Sequence, residues 1–281
     1  MVKEKLSTTT HALIGAGHMG GALLNGWLSA KGAARLDPSQ ILVIDPSPGE
    51  AATNAFKLGT KFAKSLTRGS ASGIQLCLLA IKPQLFAKVG PDLAKALPRD
   101  ALIVSIMAGI SIDELIDVFS TRPIIRCMPN TPGAIGQGIT AFMTGPDVTA
   151  KHVKMAELRL KAAGEVVRVD NERQIDMVTA LSGSGPAYVF YLAEAMKAAG
   201  IKLGLPEDLA KALARQTVIG SGAMLAASSE SAASLREAVT SPGGTTEAAL
   251  EILMADDGLV KLMRNAITKA YDRSRELGGK K

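Results

Sequence analysis

Gly15-Ala16-Gly17-His18-Met19-Gly20 is the stretch on which the reading of this chain turns. It fits G-x-G-x-x-G, a string that glycine-rich proteins also produce by chance, so its surroundings decide its value. Ala12–Gly15 reads as a buried apolar strand, and Met19–Leu28 places Met19, Leu23, Leu24 and Trp27 at helical spacing. A strand that enters a glycine turn and leaves it as a helix is a dinucleotide-binding arrangement. Gly15 permits the tight turn, Gly17 lets a pyrophosphate approach the backbone, and Gly20 lets helix and strand pack closely. The free N–H groups at the helix start then face the anion.

A second strand, Gln40–Ile44, runs into Asp45-Pro46-Ser47-Pro48. An acid at this position accepts hydrogen bonds from ribose hydroxyls and repels a 2′-phosphate. Asp45 before proline also suits a plain turn, and the Ser47 hydroxyl suits either a ribose or a phosphate. Further strands are expected at Ile74–Ala80, Ala101–Met107, Ile124–Met128, Ile139–Met143 and Glu165–Val169. Helical patterns lie between most of them: Leu85–Leu97, Ile112–Phe119 and Val148–Ala162. Ser111 is placed to cap the second of these, with Glu114 at the capping-box position. Apolar strands separated by helices predict a mostly parallel sheet covered on both faces, an α/β Rossmann-type domain. Three loops leave its strand ends: Ala80-Ile81-Lys82-Pro83-Gln84, Ser105-Ile106-Met107-Ala108-Gly109 and Arg126-Cys127-Met128-Pro129-Asn130-Thr131-Pro132. They are expected to converge on one cleft with Lys82, Gly109 and Asn130, at the carboxyl edge where open α/β sheets bind ligands.

After Asp170 strand signals nearly vanish. Ala-rich helices are expected over Glu172–Leu181, Ala187–Ala199, Glu207–Ala226, Ala232–Val239, Glu247–Ala255 and Leu259–Leu277. Pro186 and Pro206 stand near helix starts, and Gly200 and Gly278 near helix ends. The expected division is a dinucleotide-binding domain over 1–170 and an all-α substrate-binding and dimerisation domain over 171–281. A small helical domain has too little interior for apolar faces as wide as that of Val189, Phe190, Leu192 and Met196. A homodimer that buries them is expected. Two loops here are unusual: Leu181-Ser182-Gly183-Ser184-Gly185-Pro186, and Val239-Thr240-Ser241-Pro242-Gly243-Gly244-Thr245-Thr246. The second enters a helix, so its amides form a nest suited to a carboxylate. Thr245 and Thr246 are alternatively simple N-caps.

The histidines, His11, His18 and His152, are poorly placed as general bases. A reaction without a side-chain base points to hydride transfer, where the cofactor carries the chemistry. The formal charge of +6 raises nucleic acid as a partner, but the cations are scattered among acids and no nucleic-acid-binding motif accompanies them. Cys77 and Cys127 each lie in an apolar strand and read as buried reduced thiols; no metal-ligand cluster is present. Met1–Thr10 lacks a signal-peptide pattern, and no run approaches the roughly 20 apolar residues of a membrane span. A cytoplasmic protein is expected.

At the quoted loops the sequence resembles the pyrroline-5-carboxylate reductases. The shared stretches are Gly15–Gly20, Ile81-Lys82-Pro83-Gln84, Arg126–Pro132, Leu181–Tyr188 and Val239–Thr246. The resemblance implies reduction of the C=N bond of 1-pyrroline-5-carboxylate to L-proline with NADPH or NADH, the last step of proline biosynthesis. It places the dinucleotide on Ile14, Gly15, Ala16, Gly17, His18, Met19, Ser47, Ala80, Ile81, Lys82, Pro83, Met107, Ala108 and Gly109. It places the substrate carboxylate on the backbone at Gly244, Thr245 and Thr246, with the Thr246 hydroxyl toward the ring nitrogen as the catalytic group. It also implies interleaved helical dimers, often assembled into larger rings. Several members have a small neutral residue where Asp45 stands, and some have an asparagine where this chain has Ala238. Two rival readings are a β-hydroxyacid dehydrogenase and a dinucleotide-sensing regulator. The first wants a lysine on the helix after the boundary, which Glu172–Leu181 does not offer and Lys197 offers only late in the next helix. The second wants a DNA- or partner-binding module, and none is apparent.

Overall fold

Four strands of this chain are buried at every position and, apart from His11 and Ser105 at two of their ends, wholly apolar: β1 (His11–Ile14), β2 (Ile41–Ile44), β4 (Leu76–Leu79) and β5 (Leu102–Ser105). In the computed structural model, which describes residues 10–279, they form the centre of a sheet completed by β3 (Lys61–Ala63), β6 (Ile124–Met128), β7 (Gly138–Thr144) and β8 (Gly164–Arg168). The order is β3-β2-β1-β4-β5-β6-β7-β8, parallel throughout except for the β6–β7 pair. The signal-peptide reading of Met1–Thr10 lies, but for Thr10, outside the described residues.

Helices α1 (His18–Ser29), α2 (Glu50–Lys57), α3 (Phe86–Ala96), α4 (Ile112–Phe119) and α5 (Ala150–Leu160) cover the sheet. Alternation along each strand sends side chains to two cores. In β4, Leu76 and Leu78 join Trp27, Leu23 and Leu160 on one face, while Cys77 and Leu79 join Phe86, Leu115 and Phe119 on the other. Trp27 donates from its indole to the Arg159 carbonyl at 3.0 Å, and the Arg159 guanidinium reaches the carbonyls of Ala33 and Ala34. The α4 start is capped as its sequence predicts: the Ser111 hydroxyl accepts from the Glu114 amide, and Glu114 accepts from the Ser111 amide at 2.8 Å. Both cysteines are buried, and burial pushes the Cys77 thiol up to about 12 and raises Cys127 as well.

Successive crossovers carry the chain from β1 outward to β3, then back to β4 and outward the other way. The reversal falls between β1 and β4, and a ligand crevice opens at the carboxyl ends of strands flanking such a point.

The chain divides into two compact units. One is the described chain up to Gly183 together with Tyr271 onward; the other is Ser184–Ala270. The composition changes at Asp170, but α6 (Glu172–Val178) belongs to the larger unit, because Ile175 is fully buried in the sheet's core. The same helix supplies Glu172, which pairs with Arg126, a β6 residue only 2% exposed, and Asp176, which accepts from the Ser274 hydroxyl at 2.9 Å.

The smaller unit contains α7 (Gly185–Lys202), α8 (Glu207–Ala227), α9 (Ala232–Ala238) and α10 (Thr245–Leu253), with the greater part of α11 (Leu259–Leu277). Gly200 lies in the last turn of α7, where Ala210 packs against it, and the chain turns just beyond at Gly204, whose φ is 101°. Among the described residues of this unit only Ala210 and Ala214 are buried. Phe190 is 63% exposed, Tyr191 70%, Ile252 75% and Leu203 87%. Exposed apolar surface on this scale marks an association face, since a lone bundle of this kind has almost no core to stabilise it.

Candidate active site

The glycine turn sits at the reversal point of the sheet. Gly15 has φ 89°, which L side chains rarely adopt, and a Cβ there would stand 2.7 Å from the Ala80 carbonyl oxygen and 3.0 Å from Ile81. The ends of β1 and β4 therefore touch. A Cβ on Gly20 would lie 2.1 Å from the Gly15 carbonyl oxygen, so this glycine sets how closely α1 approaches β1. Gly17 is different: a Cβ there would meet no described atom within 4 Å. Its surroundings are open, as the approach of a phosphate to the backbone requires. The first helical bond of α1 runs from the Gly21 amide to the Gly17 carbonyl at 2.7 Å, which leaves the amides of His18, Met19 and Gly20 in the unbonded first turn.

Asp45 closes this turn from the end of β2. Its Oδ2 accepts from the Ala16 amide at 2.7 Å and its Oδ1 from the Ser47 amide at 2.8 Å. One carboxylate thus fixes both the glycine turn and the loop that carries Ser47. Ala16, Gly17, His18 and Ser47 line a cavity of about 460 Å³, with Asn25, Gly49, Glu50 and Ala134 among further lining residues that the sequence reading did not name. Ile14, Ala80, Ile81, Lys82, Pro83, Met107, Ala108 and Gly109 all lie at or just beyond the carboxyl ends of β1, β4 and β5 in this unit, Lys82 with its side chain exposed. The open glycine turn, the first-turn amides and these strand ends suit a dinucleotide. Asn130 has a structural task there: its Oδ1 accepts from the Ile139 amide at 2.9 Å and ties the loop after β6 to β7.

A larger cavity, about 720 Å³, lies at the opposite edge, beside the ends of α3 and α4. Arg122 in its wall is held by the carbonyls of Ala94, Leu97, Pro98 and Phe119 at 2.7 to 3.0 Å, a structural clasp remote from the strand ends described above.

The second glycine loop belongs to the smaller unit. Gly243 has φ 69°, the Gly244 amide bonds back to the Ser241 carbonyl, and Gly244 caps α10 through its backbone. Neither threonine acts as the cap, since no side-chain capping bond forms at this end. The first helical bond is Ala248 to Gly244, so the amides of Thr245, Thr246 and Glu247 make up the unbonded first turn. Free amides at a helix start, reinforced by the helix dipole, are suited to an anion. Glu247 turns back onto the loop and accepts from the Gly243 amide at 2.6 Å.

Lys197, the one lysine a hydroxyacid dehydrogenase reading had to consider, is paired with Glu207 at 2.7 Å. Among the described residues no group of His, Cys, Asp and Glu is arranged to hold a metal, and no helix is long and apolar enough to cross a membrane.

Comparison with known proteins agrees with this layout. Residues 172–277 match the family model for pyrroline-5-carboxylate reductase dimerisation, and residues 10–109 match that for NADP oxidoreductase, coenzyme F420-dependent. The pyrroline-5-carboxylate reductase of Pseudomonas aeruginosa is 40% identical over 97% of this chain and 98% of its own. Among solved structures, that of a pyrroline-5-carboxylate reductase from Coxiella burnetii superposes with a TM-score of 0.86 at 32% identity, covering 96% of this chain and 98% of its own. A pyrroline carboxylate reductase from Plasmodium falciparum with NADP bound gives 0.80 at 27% identity, over 97% and 99%. With such identity over nearly its whole length, the chain belongs to the pyrroline-5-carboxylate reductase family.

Proposed function

We propose that this chain reduces the C=N bond of 1-pyrroline-5-carboxylate to L-proline by hydride transfer from NADPH or NADH, the last step of proline biosynthesis. The observation that carries the reading is the near full-length identity to reductases of that name, which takes in both glycine loops. The geometry is consistent with it, because the substrate is a small carboxylate and the α10 start offers amides without a cationic side chain.

In this reading the dinucleotide is held by Ile14–Met19, Ser47, Ala80–Pro83 and Met107–Gly109. Bound there, the reduced nicotinamide supplies the hydride that the imine carbon accepts. The backbone from Gly244 to Thr246, with the Thr245 and Thr246 amides open and that of Gly244 already engaged by Ser241, holds the substrate carboxylate and so fixes the ring's orientation, from which much of the rate arises. The Thr246 hydroxyl hydrogen-bonds the ring nitrogen. Such a hydroxyl is a weak acid, so Thr246 orients or relays the proton that nitrogen gains. Two copies associate through the exposed apolar faces of α7 and α8, and dimers assemble into a larger ring. The scattered charge argues against a nucleic-acid partner, and the cytoplasm is the proposed compartment. Loss of the reduced-nicotinamide absorbance on adding pyrroline-5-carboxylate tests the function; a purified protein that consumes neither NADPH nor NADH would exclude it.

A further inference from the structure

The loop that leads into the α10 start already holds one carboxylate, and it is the protein's own. Glu247 Oε2 takes the Gly243 amide at 2.6 Å. Gly243 is the residue with positive φ, 69°, and so the hinge about which the loop Ser241–Gly244 turns into the helix. The Gly244 amide is used by the Ser241 carbonyl at 3.0 Å. With these two donors engaged, the open amides of the nest are those of the first helical turn, headed by Thr245 and Thr246.

We propose that Glu247 is a positioning residue for the substrate carboxylate. It occupies the Gly243 amide and thereby directs the incoming carboxylate one step forward, onto Thr245 and Thr246. This rests on the function proposed above. The bond has two consequences of opposite sign. It fixes the loop and removes a competing docking register, which keeps the ring nitrogen opposite the Thr246 hydroxyl. It also places a negative charge beside the substrate's own, which weakens binding. The neighbouring charges do not cancel this: Arg236, which lines the same hollow beneath α10, is paired with Glu237 at 2.9 Å.

Two substitutions separate the consequences. Glu247→Gln keeps an acceptor for Gly243 and removes the charge, so KM for pyrroline-5-carboxylate falls about two- to fivefold, the size of a single-charge effect at a helix start, with kcat unchanged. Glu247→Ala frees the Gly243 amide and lets the substrate settle back, so kcat falls at least about tenfold, since misplacement near 1 Å costs on the order of a hundredfold. KM for the dinucleotide stays unchanged in both. The Gly243 amide exchanges its hydrogen slowly in the wild type and in Glu247→Gln, and fast in Glu247→Ala. Wild-type kinetics in Glu247→Ala, an equal loss in both variants, or a matching rise in dinucleotide KM would each overturn the proposal while leaving the reductase function standing. A wild-type protein without activity removes both.

Discussion

Gly17→Ala and Gly20→Ala add the same methyl group three residues apart and are expected to fail in different ways. At Gly20 the new Cβ would stand 2.1 Å from the Gly15 carbonyl oxygen and 3.0 Å from the Ala80 Cβ. A carbon rests against a carbonyl oxygen at about 3.3–3.6 Å, so α1 must withdraw by more than about 1 Å. Overpacking of this kind costs about 1–3 kcal/mol. At about 2–4 °C per kcal/mol for a chain approaching this size, Tm falls by several degrees. Because α1 carries the amides proposed to face the phosphates, a displacement near 1 Å is also expected to cost about a hundredfold in kcat/KM. At Gly17 no described atom lies within 4 Å of the added carbon, so Tm stays within about 2 °C, the scale of a neutral surface change. That carbon instead fills the space through which the pyrophosphate approaches, and dinucleotide affinity drops without loss of stability. Thermal unfolding and dinucleotide titration of both variants read the two effects. If Gly17→Ala binds the dinucleotide as the wild type does, the proposed approach at Gly17 is wrong. If Gly20→Ala melts at the wild-type temperature, the packing argument is wrong.

Glu172→Ala leaves the buried Arg126 without its ion-pair partner and the Ile112 amide without its 2.7 Å acceptor at the start of α4. A loss of about 3–5 kcal/mol in denaturant unfolding is expected, and a loss below about 1 kcal/mol contradicts it. His11 is held neutral by burial and, secondarily, by the charge of Arg159, which together lower its pKa from 6.5 to about 4. The unfolded chain therefore takes up the proton first, and the stability present above pH 6.5 is lost as pH falls toward 4, about 3 kcal/mol at 1.36 kcal/mol per pH unit. His11→Gln flattens that slope in urea midpoints measured across pH 4 to 7, and an unchanged slope assigns the loss elsewhere. Thr246→Ala cuts turnover while dinucleotide affinity holds; unchanged turnover removes Thr246 from the chemistry.

What was legible in the sequence was what neighbouring residues determine. The Ser111–Glu114 capping box forms as read because its partners lie within one turn. The glycine turn was readable because strand, turn and helix follow one another directly. Strand β3 escaped because it is a three-residue edge strand with Lys61 and Phe62 exposed, and α2 because it buries only two alanines, Ala52 and Ala55. The antiparallel direction of β7 carries no mark in its hydrophobic pattern. In the site, Asp45 was placed correctly at the end of β2, but its bond to Ala16 spans 29 positions and no local pattern announces it. The Arg126–Glu172 pair was hidden for the same reason. Glu247 did carry a signal: it stands three residues past the cap Gly244, the spacing of a capping box.

Wild-type protein incubated with pyrroline-5-carboxylate and NADPH or NADH deuterated at the transferable position should yield L-proline with one deuterium on the former imine carbon, in amounts matching the dinucleotide oxidised. Unlabelled proline, label on another carbon, or dinucleotide oxidised without proline would contradict the account.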